Sequence, residues 1–469
     1  MVKKFTIHVF VLISFIALCF ESAYARKSCN PEDLQTIAPP TEENSNSNSE
    51  KNPVFVFFDG SLSMEGFVHK QQGQKNIYVD LMRDLTNVAE TVGSKTLYFR
   101  FGKTSAGINE SEIRRVITPT FYKCPEGAAD CALDNQESRL EIPFKAWTKN
   151  KDATYIIVTD LFMSSKHLVA GRRQQLVQPI KSILRKGKSV AVVGIMSSFK
   201  GVVYDIPLSA GGTTSYSKAQ QRPFYIIIIG EQQNIHKIKK TIEQEHLIDK
   251  GDNYKFSLIT SNPISNNLNV TKKINEDNIG RIRDTPGFKF EYLQSNLAYY
   301  QFDLSKKGRN TQIKIKINKD DFRVKESNGV GKYNIEETLW WSKEIKCKDI
   351  EANNTWIKTK FKKIGKVIPN DNEFELDVFH EPKISDLFRE KRYFHHINIY
   401  ATEPGKLAEN TFEEWNLEEH EAEEYMNSDP VEFKTLNLKG IMQILTSVAN
   451  ENFEPKLIAS FVLDFNLNK

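Results

Sequence analysis

The chain has 469 residues, 39% of them hydrophobic and 26% charged, which suits a globular protein of two or three domains. Its 64 basic and 60 acidic side chains leave a formal net charge of +4, too balanced for the electrostatic footprint of a nucleic-acid binder. No strong internal repeat is visible.

The N-terminus reads as a secretory signal. Lys3 and Lys4 precede an apolar run from Phe5 to Phe20, and Ala23-Tyr24-Ala25 forms a small-residue cleavage site. Residues 1–25 are therefore expected to be removed, leaving Arg26 as the mature start. The apolar run is short for a membrane span, and no later run is longer, so no span is expected after cleavage. The protein is expected to be exported, to a periplasm or outside the cell. Export changes the cysteine reading. Of five cysteines, Cys19 leaves with the signal, while Cys29, Cys124, Cys131 and Cys347 remain. In an oxidising compartment these suggest disulfides, and the local pair Cys124–Cys131, with Pro125 and Gly127 between, is favoured. A zinc site would want tighter CxxC-like pairs.

Residues 26–51, with "TEENSNSNSEKN", read as a flexible linker. Residues 52–248 then alternate. Apolar runs at Val54–Phe58, Leu97–Phe101, Tyr155–Val158, Val190–Ile195 and Tyr225–Ile229 fit strands buried on both faces. Ile113 to Thr118 reads as a short antiparallel edge strand. Helical spacing links Leu81, Met82, Leu85, Val88, Ala89 and Val92 before Gly93, and Leu176, Ile180, Ile183 and Leu184 before Gly187. Ile235, Ile238 and Ile242 mark a third helix. This alternation predicts an α/β domain: a doubly wound, mostly parallel sheet with helices on both faces. Residues 249–469 read as a β-rich second domain. "KFEYLQSNLAYYQFDLS", "TQIKIKINKDDF", "IKTKFKKIG", "EFELDVF" and "YFHHINIYA" are strand-like. A helix over Leu438 to Val448 and a closing strand, "KLIASFVLDFNL", follow.

The chemistry gathers at the end of the first strand. In a parallel sheet, ligands bind beyond the carboxyl ends of the strands. Asp59 follows the first strand, and Asp160, in "TYIIVTDLF", follows a later one, so both carboxylates are expected on one sheet edge. Ser61 and Ser63 alternate on the loop after Asp59. Carboxylates and hydroxyls together make an all-oxygen site suited to a hard cation such as Mg²⁺. "DGSLS" and "VTDL" resemble the DxSxS motif and the later acidic residue of von Willebrand factor A domains, over about residues 52–248. That resemblance implies a metal-ion-dependent adhesion site. Ser61 and Ser63 would bind the ion directly, and Asp59 and Asp160 largely through water. A third hydroxyl would come from a loop between the motifs. Thr118 and Thr120 are candidates, and Ser138 sits closer to the expected place. The ion, Mg²⁺ or else Mn²⁺ or Ca²⁺, would take a carboxylate from a protein partner.

Other readings stand beside this one. The polar loop could merely cap a helix on a metal-free scaffold that binds through its β-rich half. A phosphatase of the haloacid-dehalogenase type would need a second aspartate where Ser61 stands. A serine hydrolase would want GxSxG, and no Walker A or HExxH motif is present. His395 and His396 are adjacent on a strand and so face opposite ways. The acidic run from Glu409 to Asp429 reads as a solvated helix or loop. The expectation is an exported protein-binding module rather than an enzyme.

A Cys124–Cys131 bridge closing so short a loop should stabilise the protein by roughly 2–3 kcal/mol. Mass spectrometry of the non-reduced mature protein should find the two joined, and two free thiols would end the idea.

Overall fold

The computed structural model describes residues 52–69, 75–123, 137–162, 170–245, 252–261 and 410–467, together with strand segments between 297 and 405. The signal, the linker and the four remaining cysteines, including the expected Cys124–Cys131 pair, lie outside the described residues.

The first unit runs β1 (Val54–Asp59), α1 (Ile77–Glu90), β2 (Thr96–Phe101), β3 (Ser105–Ile108), α2 (Glu141–Trp147), β4 (Thr154–Thr159) and α3 (Ala170–Arg185). It continues through β5 (Ser189–Ser198), β6 (Val203–Pro207), β7 (Thr213–Tyr216), β8 (Gln221–Gly230), α4 (Gln232–Glu245) and β9 (Tyr254–Ile259). Seven of these strands form one sheet, in the order β3-β2-β1-β4-β8-β5-β9. Strand periodicity sends alternate residues to opposite faces. Val54, Val56 and Phe58 join the core under α1 and α4. Phe55 and Phe57 join the core under α2 and α3. Burial on both faces explains why β1, β4, β5 and β8 read as continuous apolar runs rather than alternating ones.

The expected doubly wound, mostly parallel sheet is corrected here to a mixed, mostly antiparallel one. β1 pairs in parallel with β2 and with β4. β2–β3, β4–β8, β5–β8 and β5–β9 are all antiparallel. The reason lies between β5 and β8. A parallel return needs a crossover, usually a helix. Residues 199–220 instead carry the antiparallel ribbon β6–β7, so β8 comes back alongside β5 and lodges between it and β4. The expected edge strand over Ile113–Thr118 is also corrected. Asn109 and Glu112 form a reciprocal capping box that starts a helical turn at Glu110, and Arg114–Ile117 continues as a 3₁₀ turn. The antiparallel edge strand is β3, just upstream.

The later strands are β10 (Leu297–Leu304), β11 (Gln312–Asn318), β12 (Val330–Ser342), β13 (Trp356–Lys358), β14 (Gly365–Pro369), β15 (Glu373–Phe379) and β16 (Arg392–Pro404). Two short strands, β17 (Asn416–Leu417) and β18 (Thr435–Leu436), precede α5 (Leu438–Glu451) and β19 (Lys456–Leu467). They give a five-stranded sheet, β10-β19-β16-β12-β13, and a three-stranded sheet, β11-β15-β14.

Residues from both sides of position 248 build the seven-stranded unit. β9 closes its edge, Leu417, Ala422, Phe433 and Leu436 join the core under α1 and α4, and Phe412, Trp415 and α5 fill the same core as α2 and α3. Leu438, Ile441, Met442, Leu445 and Val448 of α5 are buried there with Phe412 and Trp415. Gly194 on β5 makes room for them, because a Cβ at that position would lie 2.6 Å from Trp415 and 2.7 Å from Phe412. Lys181 and Arg185 of α3 reach Glu451 and Asn452 at 3.2 and 3.0 Å. Truncating a buried leucine costs about 2–5 kcal/mol through lost transfer energy and the cavity left behind. Leu445→Ala in the full chain should therefore lower the urea midpoint of the transition that reports on the seven-stranded sheet. An unchanged midpoint would mean that α5 does not stabilise that sheet.

Candidate functional site

The site lies where the parallel strands β1 and β4 end. Phe58 is opposite Val158 in their register, so the chain leaves both strands at the same edge. Asp59, the last residue of β1, and Asp160, the first after β4, are both buried there, each 1% exposed. The backbone turns sharply beyond Asp160: Leu161 has a φ of 51°. A non-glycine residue in the left-handed region costs on the order of 1 kcal/mol and recurs where a chain is bent for a purpose.

Asp59 is enclosed by donors. The Ser61 amide donates to its Oδ1 at 3.0 Å. The Thr159 hydroxyl donates to Oδ2 at 2.7 Å. The Ser138 hydroxyl lies 2.8 Å from both oxygens. Sequence reasoning missed Thr159, which stands immediately before Asp160 but donates across the sheet edge to Asp59. Ser138 arrives from the segment just before α2. Thr118 and Thr120 do not reach the site: Thr118 donates to the Arg115 carbonyl, and the two threonine hydroxyls meet each other at 2.9 Å.

Ser61 begins a 3₁₀ turn over Leu62–Val68, but its side chain makes no capping bond. Its hydroxyl lies instead 3.0 Å from that of Ser63. The loop is held tightly behind these hydroxyls. Gly66 abuts Phe199, where a Cβ would come within 2.3 Å of the ring, and its carbonyl accepts from the Lys200 amide at 2.9 Å. Ser63 and Ser138 are part-exposed while the carboxylates lie buried beneath, so an incoming group would meet hydroxyls first.

Two arginines brace the loop, and the sequence reading singled out neither. Arg100 of β2 donates through Nη2 to the Gly60 carbonyl at 3.0 Å, and its guanidinium lies 5.0 Å from the Phe121 ring centre. Arg222 of β8 is fully buried, with Nη2 3.0 Å from Asp160 Oδ2. Its Nη1 donates weakly to the Ser63 carbonyl at 3.4 Å. The rings of Phe67, Phe162 and Phe199 surround the guanidinium at 6.0, 5.1 and 5.4 Å. The Arg222–Asp160 contact is an ion pair without good hydrogen-bond geometry: neither Nη2 nor Oδ2 has a hydrogen-bond partner among the described residues. The available signal was a lone cation at the start of an otherwise apolar strand, "QRPFYIIIIG".

Comparison with known proteins finds no matching family model, curated protein or solved structure. What the site does must therefore be argued from its own chemistry.

The donor set fits a hard cation. Cis oxygen ligands of an octahedral Mg²⁺ lie about 3 Å apart, given Mg–O lengths of about 2.0–2.1 Å. The Ser61 and Ser63 hydroxyls have that separation. A hydroxyl that ligates a cation must send its proton elsewhere, and Asp59 already takes the proton of Ser138. Among the described residues no cluster of three or more His, Cys, Asp or Glu side chains comes together, so a cation here would rest largely on hydroxyls and water.

Burial, and secondarily the nearby charge of Asp160, push the Asp59 carboxyl up from 3.8 to about 6, against the opposing pull of the hydrogen bonds from Ser61 and Thr159. A carboxyl raised on folding contributes stability that is fully present below its unfolded value and is lost as pH rises through the folded one. The window runs from 3.8 to about 6. In chelator-treated protein, Asp59→Asn should therefore be more stable than the wild type by on the order of 1–3 kcal/mol at pH 7, with the gain fading toward pH 4. Thermal melts across that range test this, and a variant equally destabilised at both ends would show that hydrogen bonding, not charge, governs the position.

Proposed function

We propose that this edge of the sheet binds a divalent cation, Mg²⁺ or in its place Mn²⁺ or Ca²⁺, and through it a carboxylate of a protein partner. Ser61, Ser63 and Ser138 would hold the ion, and Asp59 and Asp160 would act through water. When bound, the ion supplies a positive, oxygen-seeking centre at the surface. The observation that carries this reading is the meeting of Ser138 with Asp59 beside the Ser61–Ser63 pair. The hydroxyls of Ser138 and Thr159 and the amide of Ser61 converge on one buried carboxylate, and the Ser61 and Ser63 hydroxyls meet each other beside it without capping a helix.

The reading keeps the likeness to von Willebrand factor A domains at β2-β1-β4, whose parallel pairing carries both aspartates to one edge. It departs from that likeness beyond β4, where β8 runs the other way. Binding rather than catalysis suits Asp59, whose two oxygens are occupied by donors on a buried carboxyl. Work outside the cytoplasm follows from the signal-like N-terminus. Among the described residues no helix is long and apolar enough to cross a membrane.

A second reading is favoured by the Arg222–Asp160 pair. In it the guanidinium is the only cation the site needs, and the protein is a scaffold that binds through its β-rich half. Metal titration separates the two. A ligand that binds only the native state stabilises by RT ln(1 + [L]/Kd), about 2.7 kcal/mol at a hundredfold excess over Kd. Millimolar Mg²⁺ should raise the melting temperature of chelator-stripped protein, and Ser61→Ala or Ser138→Ala should weaken the rise. No shift with Mg²⁺, Mn²⁺ or Ca²⁺ would favour the scaffold reading.

A further inference from the structure

We propose that Arg222 is a resident countercharge that sets how tightly the site takes a divalent cation and how strongly the loaded site takes an anion. The inference rests on the cation-binding reading above and concerns what this chain adds to it. A buried guanidinium is costly unless it meets an opposite charge. Arg222 meets Asp160 at 3.0 Å in a pocket that excludes water from both side chains, which are 0% and 1% exposed. The three phenylalanine rings around it favour a cation, since ring faces carry partial negative charge. Among the described residues Asp160 is the acid that Arg222 pairs with, and its Nε has no hydrogen-bond partner there. The charge is therefore fixed in place beside the hydroxyls.

Topology puts it there. β8 runs antiparallel to β4, with Thr159 opposite Tyr225, so its first residues extend past the end of β4 to face Asp160. Had β8 run parallel to β4, it would have presented its last residue at this edge instead of its first. The start of β8 is itself clamped. Gln220 and Phe433 make backbone bonds of 2.8 and 2.9 Å with Val431 and Gln221, just before Arg222. These bonds fix the backbone from which the Arg222 side chain reaches Asp160.

Two consequences follow from charge alone. With two carboxylates and no nearby cation, the site would hold a divalent ion tightly and end near neutral. With Arg222 beside Asp160, the same ion raises the pair and Asp59 from a net charge of about −1 to about +1. The first effect weakens the ion's affinity. The second strengthens that of a carboxylate at the loaded site. Affinities for the two ligands are then coupled, and by linkage each tightens the other by the same factor.

Mn²⁺ titration followed by electron paramagnetic resonance reads this directly in the full-length protein at pH 7.5. Arg222→Met should bind Mn²⁺ at least tenfold more tightly than the wild type, and Arg222→Lys, which restores the charge, should recover most of the wild-type value. Near-UV circular dichroism checks that each variant is folded. In the wild type itself, replacing chloride by acetate at constant ionic strength should tighten Mn²⁺ severalfold, a result that stands even if Arg222→Met does not fold. A folded Arg222→Met that binds no more tightly, or a wild type indifferent to acetate, overturns the proposal while wild-type binding still upholds the cation site. Absence of Mn²⁺ binding in both wild type and variant overturns the two together. Binding only in Arg222→Met would support the countercharge and overturn the cation reading of the native chain.

Discussion

The buried contact between Arg222 and Asp160 is the constraint around which the site end of the molecule is arranged. Removing one partner of a buried pair leaves an uncompensated charge and typically costs about 3–5 kcal/mol. The elements that meet there are thus tied to one another. β4 brings Asp160, β8 brings Arg222, the Leu62–Val68 turn brings Phe67 and the Ser63 carbonyl, and the end of β5 leads into Phe199. Such a pair also favours one strand arrangement. A β8 shifted by one residue would point the guanidinium toward the opposite face of the sheet, away from Asp160.

The strand that carries Arg222 is also tied to the later part of the chain. The segment around Val431 to Phe433 extends the sheet at the start of β8, and Tyr225 hydrogen-bonds Thr435 at 2.9 Å in the core. α5 and the aromatic pair Phe412–Trp415 then cover the face that α2 and α3 leave open. Residues that pair with the backbone at the start of β8 therefore come from more than two hundred positions downstream of Arg222.

Much of this was legible in the sequence, and what was not has a physical cause. The apolar run ending in Asp59 and the later run ending before Asp160 place both carboxylates at one edge, because burial on both faces leaves an unmistakable stretch of Val, Ile and Phe. Several strand segments of the later half were legible for a related reason, since alternation and aromatic content do not depend on partners, but β12, over Val330–Ser342, was not among them. Strand direction was not legible, since "FYIIIIG" reads the same whichever way it runs. The absence of a helical pattern over residues 199–220 was the clue that β8 returns antiparallel to β5. Arg222 escaped notice because one cation at a strand start looks like a solvated end, and only its non-local partner makes it a buried one. The contribution of Phe412 and α5 to the first sheet is likewise non-local: an amphipathic stripe states that a helix has a buried face, not what buries it.

Chemically, the site combines features that seldom coincide without use: a carboxyl raised by burial and a like charge, hydroxyls turned away from helix capping, and a guanidinium enclosed in rings. Each costs stability alone. Under the proposed reading, together they would hold charge at a surface, with the charge balance set from within. The most direct measurement is a crystal structure of the Mn²⁺-soaked protein with anomalous data at the manganese edge. The account predicts a single peak within about 2.2 Å of the Ser61, Ser63 and Ser138 hydroxyl oxygens, with Arg222 still paired to Asp160. No peak there, or a peak that appears only with Arg222 withdrawn from Asp160, would contradict it.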